Sequence, residues 1–164
     1  MNSQMKLFQK SQSAHVILAP QTGRAVALTE IPDPVFSGKV LGDGAAVIPC
    51  GSQVLAPVTG TVVQIASTLH AICMESDDGL DILIHLGLDT VNLKGRGFQC
   101  HVQTGQHVKA GTLLMEMDVE QIRSAGLNPV TLCIITNMEC VRELTSYTGK
   151  TEAGNTVLLS YVRS

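Results

Sequence analysis

Tryptophan is absent from this chain, and two tyrosines and three phenylalanines are its only aromatic residues. With 45% of the chain apolar, the core must come mainly from Val, Ile, Leu, Met and Ala. Many of these stand in short runs broken by 15 glycines and 6 prolines, a pattern that favours strands over long helices. Excess basic charge is also missing: 11 Lys and Arg face 14 Asp and Glu, for a net charge of -3. Recognition of nucleic acid or an anionic membrane relies on clustered Lys and Arg, so neither partner is expected. No apolar run approaches the roughly 18 residues of a membrane span, and the N-terminus lacks the apolar stretch of a signal peptide. Stable membrane insertion is therefore not expected, and a cytoplasmic location is. The 5 cysteines are an odd number without a CxxC pair, which argues against a disulfide framework or a structural zinc site and for reduced thiols.

A chain of 164 residues is about the size of one domain. Residues 1–14 read as a polar tail in which Met5, Leu7 and Phe8 are too few for a membrane-binding amphipathic helix. Residues 15–164 then form a single domain, mostly β: a compact antiparallel sandwich or barrel-sandwich with one or two short helical segments. The segment Leu18-Ala19-Pro20-x-Thr22-Gly23 recurs as Leu55-Ala56-Pro57-x-Thr59-Gly60, implying two similar hairpins. The prolines of Pro32-Asp33-Pro34 resist strand pairing and favour a helical turn before the glycine-rich corner Gly42-Asp43-Gly44. Asp118, with Gln121 three residues on, marks a helix start that Gly126 and Pro129 would end. Val130–Thr136 and Thr156–Val162 read as buried strands, with a turn of helix between Met138 and Leu144.

The informative stretch runs Thr68-Leu69-His70-Ala71-Ile72-Cys73-Met74-Glu75-Ser76, a polar Asp77-Asp78-Gly79, then Leu80 to Leu88. Two apolar strands around a polar turn predict a hairpin. Side chains alternate with period two, so Leu80, Ile82, Ile84, Leu86 and Leu88 share one face, and Asp81, Leu83, His85 and Gly87 the other. An Asp77-Asp78 loop places His70 directly opposite His85, with Cβ atoms about 4.5–5.5 Å apart. An Asp78-Gly79 loop makes them diagonal neighbours, and a three-residue loop separates them onto opposite faces. Ile72 and Leu83 would be apolar and outward beside the pair, which suits a docking protein. His15, His101 and His107 lack such a setting and read as surface residues.

These residues resemble the glucose-type IIA component of the bacterial phosphoenolpyruvate-dependent sugar phosphotransferase system. The strongest segment is Ile84-His85-Leu86-Gly87-Leu88-Asp89-Thr90-Val91-Asn92-Leu93-Lys94-Gly95-Arg96-Gly97-Phe98. Pro32-Asp33-Pro34-Val35-Phe36-Ser37-Gly38-Lys39, Thr68-x-His70-Ala71, Gly105-x-x-Val108-x-x-Gly111 and Thr136-Asn137 support it. The resemblance implies that His85 accepts a phosphoryl group from the histidine phosphocarrier protein and donates it to a cysteine on the IIB domain of a sugar permease. It also implies that His70 assists, that Thr68 orients His70, and that the Gly87 carbonyl holds the other ring nitrogen of His85. Phe36, Ile72, Leu83, Leu86, Gly87 and Asp89 would form the partner surface. Leu83 and Leu86 stand where aromatics are common in the family, which bears on partner preference. The unphosphorylated form is expected to bind regulatory targets.

Two other readings compete. Paired histidines are half of a zinc tetrahedron, so His70 and His85 can hold zinc at a partner interface, although the carrier chemistry needs no cofactor. The strand pattern of Ala56-Pro57-x-x-Gly60 and Val108-x-x-Gly111 also suits a biotinyl or lipoyl carrier, but Met115-Glu116-Met117 is followed by Asp118, with no lysine to carry the arm.

Overall fold

The computed structural model describes residues 15–164, so the reading of 1–14 as a tail lies outside the described residues. The first strands are β1 (His15–Leu18), β2 (Gly23–Ala27), β3 (Asp43–Pro49), β4 (Gln53–Leu55) and β5 (Gly60–Ile65). Then come β6 (Ala71–Ser76), β7 (Asp81–Leu86), β8 (Phe98–Cys100), β9 (His107–Val108) and β10 (Leu113–Met117). The last are β11 (Thr131–Ile135), β12 (Val141–Ser146), β13 (Gly149–Thr151) and β14 (Val157–Arg163). They make an eight-stranded sheet ordered β13-β2-β3-β11-β7-β6-β5-β9 and two three-stranded sheets, β1-β14-β12 and β4-β10-β8. The pairings are antiparallel throughout. The expected mostly antiparallel β architecture is borne out.

The two echoed segments begin two hairpins, β2–β3 and β5–β6, and they bond to each other. Leu18 donates its N–H to Pro57 O at 2.9 Å, and Leu55 donates to Pro20 O at 2.8 Å. Glycine is required where each hairpin opens. A Cβ at Gly23 would stand 2.0 Å from Ile48 O, and one at Gly60 2.2 Å from Glu75 O.

Both short helices form where their caps predict. In α1 (Pro34–Ser37) the Asp33 carboxylate accepts the Val35 N–H at 3.0 Å, and Pro34 occupies the first helical position, where a missing N–H costs nothing. In α2 (Val119–Ser124) Asp118 accepts the Gln121 N–H at 3.0 Å. The turn expected after Met138 is a single 3-10 turn, Met138–Cys140, leading into β12.

Strand β11 is buried along its whole length because both of its faces are covered. Cys133 and Ile135 point into the main core with Ile17, Val62, Ile72, Met74, Ile82 and Ile84. Leu132 and Ile134 point the other way, into a smaller cluster with Leu28, Ile31, Phe36 and Leu88. Leu28, Ile31 and Phe36 belong to the segment between β2 and β3, which folds back as a flap over the outer face of the large sheet. Burying one such side chain contributes roughly 1.5–3 kcal/mol. The flap matters for function because His85 lies at its edge.

Candidate functional site

In β7, Ile82, Ile84 and Leu86 are fully buried while Leu83 and His85 are half-buried. This is the alternation expected from the sequence. His85 is flanked across the sheet by Ala71 of β6 and Leu132 of β11.

The hairpin register is the three-residue one. Glu75 pairs with Asp81 and Ala71 with His85, leaving Asp77-Asp78-Gly79 as a loop in which Gly79 adopts a φ of 91°, the geometry of a hairpin closed through a left-handed glycine. By strand alternation alone His70 would then lie on the core face. It does not, because β6 begins only at Ala71 and Leu69 just before His70 is left-handed, with a φ of 62°. That turn swings His70 onto the outer side, where its ring centroid lies 5.3 Å from that of His85 with the planes 80° apart. His70 remains tied to β7 through its carbonyl, which accepts the Leu86 N–H at 2.7 Å.

The same register corrects the expected apolar rim. Ile72 pairs with Ile84 and is fully buried in the core, and Leu86 is fully buried as well, so neither reaches a partner. Gly87 is buried too. Leu83 is half-buried against the smaller cluster, and Asp89 is exposed. Phe36 is 6% exposed, yet its ring stands 4.9 Å from that of His85 at a 56° tilt and walls the imidazole on the flap side. In the chain segments that carry Phe36 and Asp89, the exposed large apolar side chains are Val35 on α1, Val40 and Leu41 just after it, and Val91 beyond Asp89, with Val40 72% exposed. The Pro32–Gly44 segment carried the signal for the first three, since a capped helical turn must show one side to solvent.

Thr68 Oγ1 lies 2.6 Å from His70 Nδ1, so the hydroxyl holds one nitrogen of the ring. His85 Nδ1 is sealed from solvent and has no partner within hydrogen-bond geometry, whereas the ring as a whole is half-buried. Nε2 is thus the nitrogen left open. Burial lowers the pKa of both imidazoles below the ordinary 6.5. The neighbouring His70 lowers His85 further, against weaker raising effects from the Gly87 backbone, Asp33 and Asp89. Neutral imidazoles, each with one lone pair, are the expected state near pH 7.

The other three histidines sit apart, each on one carboxylate: His15 on Asp78 at 3.2 Å, His101 on Glu116 at 2.9 Å, and His107 on Asp77 at 2.9 Å. Among the described residues no cluster of three or more His, Cys, Asp or Glu is placed to hold a metal ion. The two site histidines could supply two ligands, and any further ones would have to come from a docked partner. No helix among the described residues is long and apolar enough to cross a membrane. An open groove of about 660 Å³, lined by Cys50, Phe98, Glu116 and Arg123 among others, includes neither site histidine.

The chain is similar to known proteins along most of its length. Residues 15–141 match the family model of the phosphoenolpyruvate-dependent sugar phosphotransferase system, EIIA 1. The glucose-specific EIIA component of Oceanobacillus iheyensis is 42% identical over 139 residues, covering 85% of this chain and 84% of that protein. Its counterpart from Bacillus anthracis is 43% identical over 135 residues, covering 82% of each. Among solved structures, glucose permease IIA from Mycoplasma capricolum superposes with a TM-score of 0.80 at 34% identity, over 88% of this chain and 94% of that one.

Proposed function

The chain belongs to the EIIA 1 family of the phosphoenolpyruvate-dependent sugar phosphotransferase system, and from that membership we propose that His85 Nε2 is the atom that carries the phosphoryl group. The observation behind this is the arrangement of the two rings. Thr68 engages Nδ1 of His70, and burial closes off Nδ1 of His85, so each ring presents Nε2. With the Thr68 hydroxyl donating, Nδ1 of His70 accepts and its proton sits on Nε2, ready to donate. With the His85 proton on Nδ1, facing the Gly87 backbone, its Nε2 lone pair is free. The two imidazoles then hold opposite tautomers, one a nucleophile and the other a hydrogen-bond donor.

The Nε2 lone pair of His85 attacks the phosphorus of a phosphohistidine on the histidine phosphocarrier protein. A new N–P bond forms, the donor's N–P bond breaks, and the electron pair returns to the donor's ring. In the second transfer a cysteine thiolate of the IIB domain of a glucose-type permease attacks the same phosphorus, and the His85 N–P electrons return to Nε2. Such transfers depend mainly on alignment and on preorganised charge around the phosphoryl oxygens. The Nε2–H of His70 supplies that charge on one side of the group.

The exposed Val35, Val40, Leu41 and Val91 would form the apolar part of the docking face, with Asp33 and Asp89 providing negative charge near His85. A partner that is apolar around a cationic centre fits this surface. Phosphorylation adds about two negative charges there, which is a physical basis for exchanging partners and for regulatory binding by the unphosphorylated form. A working place in the cytoplasm follows from the phosphocarrier as donor.

The test is intact mass after incubation with phosphoenolpyruvate, enzyme I and the histidine phosphocarrier protein. The wild type is expected to gain one acid-labile phosphate, His85→Ala none, and His70→Ala one that it passes on poorly. A phosphate retained by His85→Ala would reject the assignment.

A further inference from the structure

The turn that joins β5 to β6 is closed by two backbone bonds, from Leu69 N–H to Ala66 O at 2.8 Å and from Ala66 N–H to Ala71 O at 3.0 Å. Inside it Leu69 takes the left-handed conformation, with a φ of 62°. Glycine or asparagine ordinarily fills such a position in a hairpin, because a larger side chain crowds its own backbone there. Leucine has no preference for that conformation, so the surroundings must impose it.

The side chain of Leu69 supplies the hold. Half-buried, it packs against the main core cluster, and its Cδ1 stands beside Gly95, where an added Cβ would meet it at 4.0 Å. Gly95 lies in a coil fixed by its own backbone bonds, from Lys94 N–H to Val91 O and from Arg96 N–H to Leu93 O, each at 3.1 Å. That coil belongs to the segment leading out of β7, so Leu69 ties the turn before His70 to the chain that follows His85. Two consequences reach the site. The left-handed residue turns His70 outward, and it also draws Thr68 and His70 together. An extended residue at position 69 would hold the Cα atoms of its neighbours about 6.6 Å apart, whereas across this bend the Thr68 hydroxyl reaches His70 Nδ1 at 2.6 Å. The place of the ring and the bond that sets its tautomer both depend on one backbone angle.

We propose that Leu69 is a positioning residue for phosphoryl transfer: by packing its side chain on the core and on the Gly95 coil, it holds left-handed the backbone that presents His70 to His85. This rests on the reading of His85 as the nucleophile and of His70 as the donor to the phosphoryl oxygens. Leu69 acts only through His70. With the anchor gone, the turn relaxes toward extended backbone, the Thr68 bond is lost for part of the time, and both neutral tautomers of His70 become populated.

The test compares Leu69→Gly, which accepts the left-handed conformation freely but has no side chain, with Leu69→Met, which keeps an apolar side chain of similar volume. If backbone conformation alone mattered, glycine would serve at least as well as leucine. The readout is the nitrogen-15 chemical shifts of the imidazoles in the unphosphorylated protein, which need no phosphoryl donor. In the wild type and Leu69→Met, His70 is expected to show a lone-pair Nδ1 and a protonated Nε2, and in Leu69→Gly averaged shifts. His101, paired with Glu116, should keep its shifts in all three and serves as the internal control of the fold. Should Leu69→Gly fail to fold, Leu69→Asn, which also tolerates this backbone and lacks the apolar contact, is expected to average in the same way. Transfer of the phosphoryl group from Leu69→Gly to the IIB domain should slow about tenfold, the equivalent of one hydrogen bond, and Leu69→Met should restore it. Wild-type His70 shifts in Leu69→Gly, or the same averaging in Leu69→Met, would overturn the proposal. Absence of phosphate uptake by the wild type would instead remove the phosphocarrier reading, while the shifts still decide whether Leu69 holds His70.

Discussion

Leu86 donates its backbone N–H to the carbonyl of His70 at 2.7 Å, so the residue next to His85 also fixes the main chain of the second histidine. The rings therefore meet at 5.3 Å through backbone that neither can leave alone. Each imidazole titrates below 6.5, His85 because of burial and then its neighbour. His70→Ala should raise the pKa of His85 toward 6.5, since it removes the like charge and opens the ring to water. The stability consequence has a definite sign. Between the folded pKa and 6.5 the unfolded chain binds more protons, so stability is complete above about 6.5 and declines as pH falls through that window. Proton NMR titration of both rings and the melting temperature across the same range measure this. A His85 midpoint unmoved in His70→Ala would show that the two rings do not sense each other.

Thr68→Val keeps the shape of the side chain and removes the donor at 2.6 Å from His70 Nδ1. The ring then loses its fixed tautomer, and its Nε2–H is no longer assured for the phosphoryl oxygens. Transfer should slow by about tenfold to a hundredfold, corresponding to about 1–3 kcal/mol for one oriented hydrogen bond, with little change in stability because Thr68 is only half-buried. Single-turnover transfer measured beside a melting curve separates the two. Equal rates for the variant and the wild type would leave Thr68 without a role.

The face to which His85 belongs was legible because apolar residues alternate cleanly from Leu80 to Leu88, and burial follows that alternation. The caps of both short helices were legible as well, since Asp33 and Asp118 act over two or three residues. The register was not, because turn parity is fixed by the conformation of Gly79, and several loop lengths suit Asp77-Asp78-Gly79. One shift of register sent Ile72 from the expected rim into the core. It would have done the same to His70 but for the left-handed Leu69, which no propensity announces in a residue of that type. The anchoring of the Gly87 turn by Asn128 and Val130 was hidden for another reason: it joins segments some forty residues apart in the chain.

Gly23 and Gly60 open the two echoed hairpins, and both face a carbonyl oxygen too near to admit a methyl group. Gly60→Ala should cost about 2–4 kcal/mol, because backbone on both strands must separate to relieve the overlap. Gly105→Ala is the control, with a φ of 92° but nothing within 4 Å of the added atom, and should cost only the smaller strain of a left-handed alanine, about 1 kcal/mol. Chemical denaturation of the two variants gives the difference directly. A larger loss at Gly105 than at Gly60 would mean that backbone conformation, not close approach, sets the need for glycine in this fold.

Val40 is the most exposed of the large apolar residues at 72%, so its side chain adds almost nothing to the core. It follows the helix that carries Phe36, whose ring walls His85. An apolar side chain left in water four residues beyond the one that walls a reactive group is accounted for if a partner covers it during transfer. Val40→Glu should then leave melting and His85 titration as in the wild type while weakening the phosphocarrier complex by about tenfold, since docking would bury an unpaired charge. Added salt should not restore the affinity, because the loss comes from desolvation and not from long-range repulsion. Isothermal titration of the phosphocarrier protein into each variant decides the matter. Unchanged affinity would place the docking face on the other side of His85, around Asp89 and Val91, where Val91→Glu is the corresponding substitution.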